Sequence, residues 1–310
     1  MEYRQLGNTS LRVSILGYGA SPLGNAFRVT DPAEGAAAVH LAVERGINYF
    51  DVSPYYGLTL AETRLGEALV GLRQQVILVT KCGRYGADQF DFSAARITAS
   101  IDESLARLRT DYVDLLQAHD VEFGDARQIV EETIPAMRKL QAQGKTRFIG
   151  ITGYSLKNLM AIAAQVPVDS ILTYCRYNLM IDDMDSELIP FAKQHGIGII
   201  NASPLHMGII TERGAPDWHP APQEVRDAGQ RIVALCRQHG LDASEVALRF
   251  CLDHAGVAST LVGMSSRKHV EGNLKCLELR NNPALLEEIR ATVAPVANLT
   301  WPSGLPENYG

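Results

Sequence analysis

Residues 76–119, VILVTKCGRYGADQFDFSAARITASIDESLARLRTDYVDLLQAH, read as strand, helix, strand. The two ends, VILVTK from Val76 and YVDLLQAH from Tyr112, are short, largely apolar and β-branched, as expected of strands buried on both faces. Ser93–Arg109 between them is the helical stretch. Two such strands joined through a helix run parallel, and the unit repeats along the chain.

Working outward, the other strand candidates are SILGYG from Ser14, NYFDVS from Asn48, TRFIGITG from Thr146, SILTYCRYN from Ser170, GIGIINASP from Gly196 and STLVGM from Ser259. Asp31–Arg45, Ala61–Val70, Ala126–Gln143, Leu156–Gln165 and Ser186–His195 are the helical stretches between them. Several close on a glycine (Gly46, Gly71, Gly144, Gly196), which tolerates the left-handed turn at a helix exit. Eight strands predict an α/β fold of the (β/α)8 TIM-barrel type. The rival is a doubly wound open sheet, but GASPLG after the first strand does not match the Gly-rich nucleotide turn. Residues 1–13 predict an N-terminal β-hairpin around Gly7-Asn8 that plugs one end of the barrel. Extra helices are expected near the C-terminus: Pro222–His239 beside Ala243–His254, then Ala284–Val293 after Arg267–Leu277. A tail, 294–310, ends the chain. With no linker or composition shift, residues 1–310 are expected to form a single domain.

The 310 residues are 46% hydrophobic and 21% charged, with a formal net charge of −6, the balance of an ordinary globule. That charge disfavours a nucleic-acid or anionic-membrane partner. No window is long and apolar enough to span a bilayer, and the N-terminus has no secretory h-region. Five scattered cysteines, without a paired motif or zinc-ligand spacing, predict reduced thiols, no metal and a cytoplasmic location.

The chemistry collects at strand ends, which in such barrels face the active site. Asp51 lies near the end of the second barrel strand, Tyr56 five residues on in DVSPYYG, Lys81 at the end of the third and His119 at the end of the fourth. Each alone has a plain structural reading as a cap, a loop aromatic, a solvated cation or a satisfied core residue. Together they suit proton transfer to or from an oxygen whose carbon exchanges a hydride. A lysine ending an apolar strand needs an anion, and Asp51 supplies one. The ammonium is expected to lower the phenol pKa of Tyr56 toward a useful range, and His119 to orient a substrate oxygen.

These residues resemble the aldo-keto reductases, whose Asp–Tyr–Lys–His tetrad maps onto Asp51, Tyr56, Lys81 and His119. RQLGNTSLRVS, GASPLG, FDVSPYYG, TKCGRY, FDFSAARITASIDESL, DYVDLLQAHDVEFG, GKTRFIGITG, ASPLHMGIITERGAPDWHPA, LVGMSS and NLTWPSG look like the branch of that family that oxidises L-galactose in plants. The resemblance implies oxidation of L-galactose at C1 to its lactone with NAD. Open alternatives are another aldose such as L-fucose, pyridoxal, a general NADPH aldehyde reduction, or a non-catalytic regulatory subunit that binds the cofactor. It also implies a sugar as the small-molecule partner, in a monomer or weak homo-oligomer.

The resemblance assigns the cofactor to Gly19, Ala20, Ser21, Asp51, Thr152, Gly153, Tyr174, Ser203, Pro204, Leu205, Met207, Gly208, Gly263, Met264, Ser265, Ser266, His269 and Asn273. Some of these depart from the usual pattern. Thr152-Gly153 stands where Ser-Asn holds the carboxamide, Tyr174 where Gln does, and Ala202 where a stacking Tyr does. Gly263 and His269 occupy positions often basic in NADP-preferring relatives, which tilts the choice to NAD; Arg267 and Lys268 leave NADP open. Tyr55, His119, Asp120 and Trp301 are the candidate substrate contacts. Trp301 reads equally as an anchor for the tail, and His206 equally as a loop residue over a ligand or a surface histidine. Gly144-Lys145-Thr146 is a helix stop rather than a phosphate loop, because it precedes a strand.

Overall fold

Parallel pairing of the β-branched segments closes them into a ring. The structure is a computed structural model that describes residues 1–26 and 28–309; Gly310, the last residue of the expected tail, lies outside them. The barrel strands are β3 (Leu16–Gly19), β4 (Tyr49–Asp51), β5 (Ile77–Cys82), β6 (Val113–Ala118), β7 (Thr146–Gly153), β8 (Ser170–Tyr174), β9 (Gly198–Ala202) and β10 (Ser259–Gly263). They pair in chain order, and β10 returns to β3, which closes an eight-stranded parallel barrel. The expected strands and helices all form, with boundaries moved by a few residues.

The hairpin is β1 (Tyr3–Gln5) against β2 (Arg12–Ser14), and its Leu6, Leu11 and Val13 join Tyr49, Val79, Leu115, Leu172 and Ile200 in the barrel interior. It enters at the end where the strands start. Gly7 has φ +53, and a Cβ there would stand 2.3 Å from the Gly198 amide nitrogen, so only glycine fits the plug.

One expected helix differs in detail. Ala126–Gln143 contains a wider π turn at Ile129–Thr133, flanked by Ala126–Gln128 and Ile134–Ala142. Pro135 has no N–H to continue the ladder, while Glu132 accepts the Ala94 amide (2.7 Å) and the Thr133 hydroxyl donates to the Phe92 carbonyl (2.6 Å).

The added helices Gln223–Gln238 and Pro283–Val293 share a second apolar cluster that includes Trp301. From it the tail returns across the strand ends. The Leu305 amide donates to the Glu122 carbonyl at 2.8 Å, and the Asn308 side chain donates to the carbonyls of Glu122 and Gly124, both at 2.9 Å. Among the described residues no helix is long and apolar enough to cross a membrane.

Candidate active site

The first two functional side chains meet because β4 and β5 are neighbours. Asp51 ends β4 opposite Val79, and Lys81 lies two residues further along β5. The Lys81 ammonium donates to Asp51 Oδ1 at 2.5 Å and to the Val52 carbonyl at 2.9 Å. Both side chains are buried, so each charge depends on the other. Burial raises the Asp51 carboxyl from its ordinary value, against the opposing pull of Lys81.

Tyr56 is held by the loop after β4, whose shape depends on Gly57: φ is +63, and a Cβ would lie 2.1 Å from the Gly24 carbonyl oxygen. Lys81 Nζ stands 5.0 Å from the centre of the Tyr56 ring, and the His119 ring meets it edge-on at 5.7 Å. Asp51, Tyr56, Lys81 and His119 therefore share one end of the barrel. The expected fall in the phenol pKa does not occur. Burial first, then the charges of Asp51 and Asp120, push Tyr56 well above the ordinary phenol value, and Arg84 opposes them.

His119 follows β6, with its amide on the Cys82 carbonyl at 2.8 Å. Its Nδ1 lies 3.0 Å from Ser53 Oγ, which already accepts the Tyr55 amide at 3.1 Å. A hydroxyl has one proton and two lone pairs, so Ser53 can donate to Nδ1 or accept from it, and the ring tautomer follows the direction of that bond. Burial, with Lys81 and Arg84 adding to it and Asp120 opposing, lowers the imidazole pKa to about 3, so the ring is neutral.

Asp120 sits beside this group in a left-handed backbone conformation (φ 53). Its amide donates to Thr152 Oγ1 at 3.0 Å, and its Oδ2 accepts Arg84 Nη1 at 2.5 Å while lying 3.6 Å from His119 Nε2. The Arg84 guanidinium stacks on the Tyr55 ring at 4.0 Å. Glu122, two residues on, is fully buried: its Oε1 accepts the Tyr154 amide (2.9 Å) and the Ser303 hydroxyl (3.2 Å). Burial, reinforced by Asp120, raises its pKa to about 8. Sequence reasoning missed Ser53, Arg84 and Glu122. All three lie inside quoted motifs, FDVSPYYG, TKCGRY and DYVDLLQAHDVEFG, but off the strand ends.

Apart from Asp51, which belongs to the tetrad, the residues assigned to a cofactor follow the ends of β3, β7, β8, β9 and β10. Gly19 and Gly263 pair across β3 and β10, the Ala20 amide donates to the Asp51 carbonyl at 2.8 Å, and Ser21 opens a short 3-10 turn. Thr152 and Gly153 end β7, while Tyr174 ends β8 beside Ala202, its ring 5.5 Å from Tyr154. Ser203, Pro204, Leu205, Met207 and Gly208 form the loop after β9, in which Ser203 and Met207 are left-handed. Beyond β10, Met264 is buried and Ser265 leads to Ser266, whose Oγ caps the helix Arg267–Lys275 through the His269 amide at 3.2 Å. Asn273 lies further along that helix. Arg28 reaches His269 Nε2 at 2.6 Å, and Glu34 accepts the Arg267 amide at 2.9 Å.

The aromatic residues of the loop and tail gather into a core. Trp301 stacks on Tyr154 at 4.7 Å and meets His206 and His219 edge-on. His206 is buried, not on the surface, with Nδ1 accepting from Asn178 at 2.9 Å. Trp218 is 58% exposed beside His219.

Comparison with known proteins agrees with this architecture. Residues 15–293 match the model of the Aldo/keto reductase family. The chain is 48% identical to L-galactose dehydrogenase of Arabidopsis thaliana, with 99% of each chain covered. It is 31% identical to D-threo-aldose 1-dehydrogenase of a Pseudomonas species, over 90% of this chain and 94% of the other. Among solved structures, an aldo-keto reductase from Bacillus halodurans in its holo form superposes with a TM-score of 0.79 at 29% identity, covering 97% of this chain and 98% of that one. The chain belongs to the aldo/keto reductase family of oxidoreductases.

Proposed function

We propose that this protein is an NAD-dependent dehydrogenase that oxidises L-galactose at C1 to the galactono-lactone. The chemistry rests on one observation: a buried Lys81–Asp51 pair lies against the Tyr56 ring, and a neutral His119 stands edge-on to the same ring. The choice of sugar is supported by the end-to-end likeness to the Arabidopsis enzyme.

The residues of the rim fit a nicotinamide dinucleotide. Gly19 and Gly263 leave backbone uncovered at their rim, and a Cβ on Gly263 would press within 2.9 Å of Pro22. Arg28, Lys268 and the amides that start the helix Arg267–Lys275 are suited to phosphate. Thr152, Gly153, Tyr174 and the loop Ser203–Gly208 would border the nicotinamide end. NAD is favoured over NADP because position 263 has no side chain and Glu34 occupies Arg267, 3.6 Å from its guanidinium. Burial, Arg28 and Lys268 also lower the His269 pKa, which disfavours its cationic form. When bound, the cofactor supplies the acceptor for the hydrogen that leaves C1.

The protein's own groups manage the proton and the geometry. Tyr56 acts as the base in its phenolate form, its own proton having first passed to solvent, and takes the proton of the C1 hydroxyl on its phenolic oxygen. Two of the three Lys81 protons are committed to Asp51 and Val52, and its ammonium lies 5.0 Å from the centre of the Tyr56 ring, where its charge favours the phenolate. His119 donates from Nε2 to the C1 oxygen and holds it beside the phenol. A cytoplasmic location is in keeping with five buried, unpaired cysteines.

The test is a panel of sugars offered with NAD+ and NADP+, following absorbance of the reduced cofactor. L-galactose with NAD+ should turn over fastest. L-fucose or pyridoxal turning over while L-galactose does not would overturn the substrate and leave the family unaffected.

A further inference from the structure

The site contains a second charged pair that the tetrad does not use. Arg84 and Asp120 are joined at 2.5 Å; the Arg84 side chain is 17% uncovered and Asp120 is buried beneath it beside His119. The pair is held from several sides. The guanidinium lies on the Tyr55 ring at 4.0 Å, and the Asp120 amide is tied to Thr152 Oγ1 at 3.0 Å. Asp120 itself is turned left-handed, a conformation disfavoured for most L residues and kept here by those contacts.

The consequence lies in one distance. Asp120 Oδ2 is 3.6 Å from His119 Nε2, too long for a hydrogen bond, so a ring nitrogen, a donor in its Nε2–H tautomer, and a carboxylate acceptor stand side by side without satisfying each other. Two neighbouring oxygens of a sugar match that arrangement. The oxygen on C1 accepts from His119 and gives its proton to Tyr56. The next oxygen must then donate to Asp120. The ring oxygen of the sugar has no proton to give, whereas the hydroxyl on C2 has. Vicinal hydroxyl oxygens lie at hydrogen-bond distance from each other, which suits the spacing of the two protein groups.

We infer that Asp120 determines specificity by accepting the hydroxyl on the carbon next to the reacting one, and that Arg84 is a positioning residue that fixes the carboxylate. The site then selects 2-hydroxy aldoses over 2-deoxy aldoses and plain aldehydes. This deepens the proposed aldose dehydrogenase activity and rests on it.

The experiment compares kcat/KM for the fastest aldose of the panel and for its 2-deoxy counterpart, in the wild-type protein and in Asp120→Asn and Arg84→Gln. Asparagine tolerates the left-handed backbone, so the first variant keeps the fold. A charge-assisted hydrogen bond lost from the substrate side predicts a wild-type preference of about tenfold to a hundredfold for the 2-hydroxy sugar. In Asp120→Asn that preference should fall to within about threefold, because the charged acceptor is gone. In Arg84→Gln it should fall part of the way, mainly through KM, with the dissociation constant for NADH unchanged in both variants. A general structural defect would slow both sugars alike and keep their ratio. An unchanged ratio in Asp120→Asn therefore overturns the assignment and leaves the aldose reading intact. Absence of turnover with every aldose overturns both.

Discussion

The side chain of Glu122 occupies the space that a side chain at position 153 would need: a Cβ on Gly153 would stand 2.5 Å from Glu122 Oε2. Gly153 ends β7 at the rim, and Glu122 is pinned there by the Tyr154 amide and by Ser303 of the tail. The glycine and the carboxyl are thus one packing solution. Gly153→Ala should destabilise the fold by about 2 kcal/mol, the usual penalty of overpacking a filled interior. In a Gly153→Ala/Glu122→Ala pair the two losses should not add. Urea denaturation measures both, and strict additivity would contradict the contact.

Glu122 also gives stability a pH signature. Its pKa in the fold, about 8, lies above the ordinary 4.5, so the folded form holds a proton that the unfolded chain releases. The contribution is complete below about pH 4.5 and is lost as pH rises through about 8. Glu122→Gln should therefore match the wild type near pH 4.5 and gain on it steadily up to pH 8, by about 5 kcal/mol. Thermal melts across that range check the sign; a variant that loses ground as pH rises would refute it.

His119 titrates in the opposite sense. Its pKa is lowered to about 3, so the neutral ring contributes stability that is complete above about pH 6.5 and is lost as pH falls toward 3. Its ring-proton NMR signals should stay constant between pH 5 and 8. A midpoint near 6.5 would show a solvated histidine and remove it from the position described.

The barrel and the four groups from three consecutive strand ends and the loop after the first were legible because each depends on local pattern. A β-branched run marks a strand whatever surrounds it, and the residue that ends it points to the mouth. Arg84 and Glu122 were not legible, since their roles arise from partners distant in the chain: Arg84 from Asp120 and Tyr55, Glu122 from Ser303 and the amide of Tyr154. The sign of the Tyr56 shift escaped for a related reason. Sequence names the nearby ammonium, but burial and two carboxylates decide the balance. The π turn before Pro135 is the remaining departure, set by the Ala94 amide donating to Glu132 and by the Thr133 hydroxyl donating to the Phe92 carbonyl.

The tail is predicted to act as a fastening for the rim. Trp301 is 8% exposed and stacks on Tyr154, itself tied to Glu122 by its amide. Trp301→Ala should lower stability by about 3 kcal/mol, in the range for a large aromatic removed from a core. A loss below about 1 kcal/mol by denaturant titration would mean that the tail packs independently of the barrel.

The proton-transfer role of Tyr56 is tested most directly by Tyr56→Phe, which deletes one hydroxyl and keeps the ring that Lys81 and His119 face. Its turnover of L-galactose with NAD+ should fall by about 100-fold or more, while the NADH dissociation constant, read by fluorescence, stays within about twofold of wild type. Near-normal turnover in that variant would contradict the account.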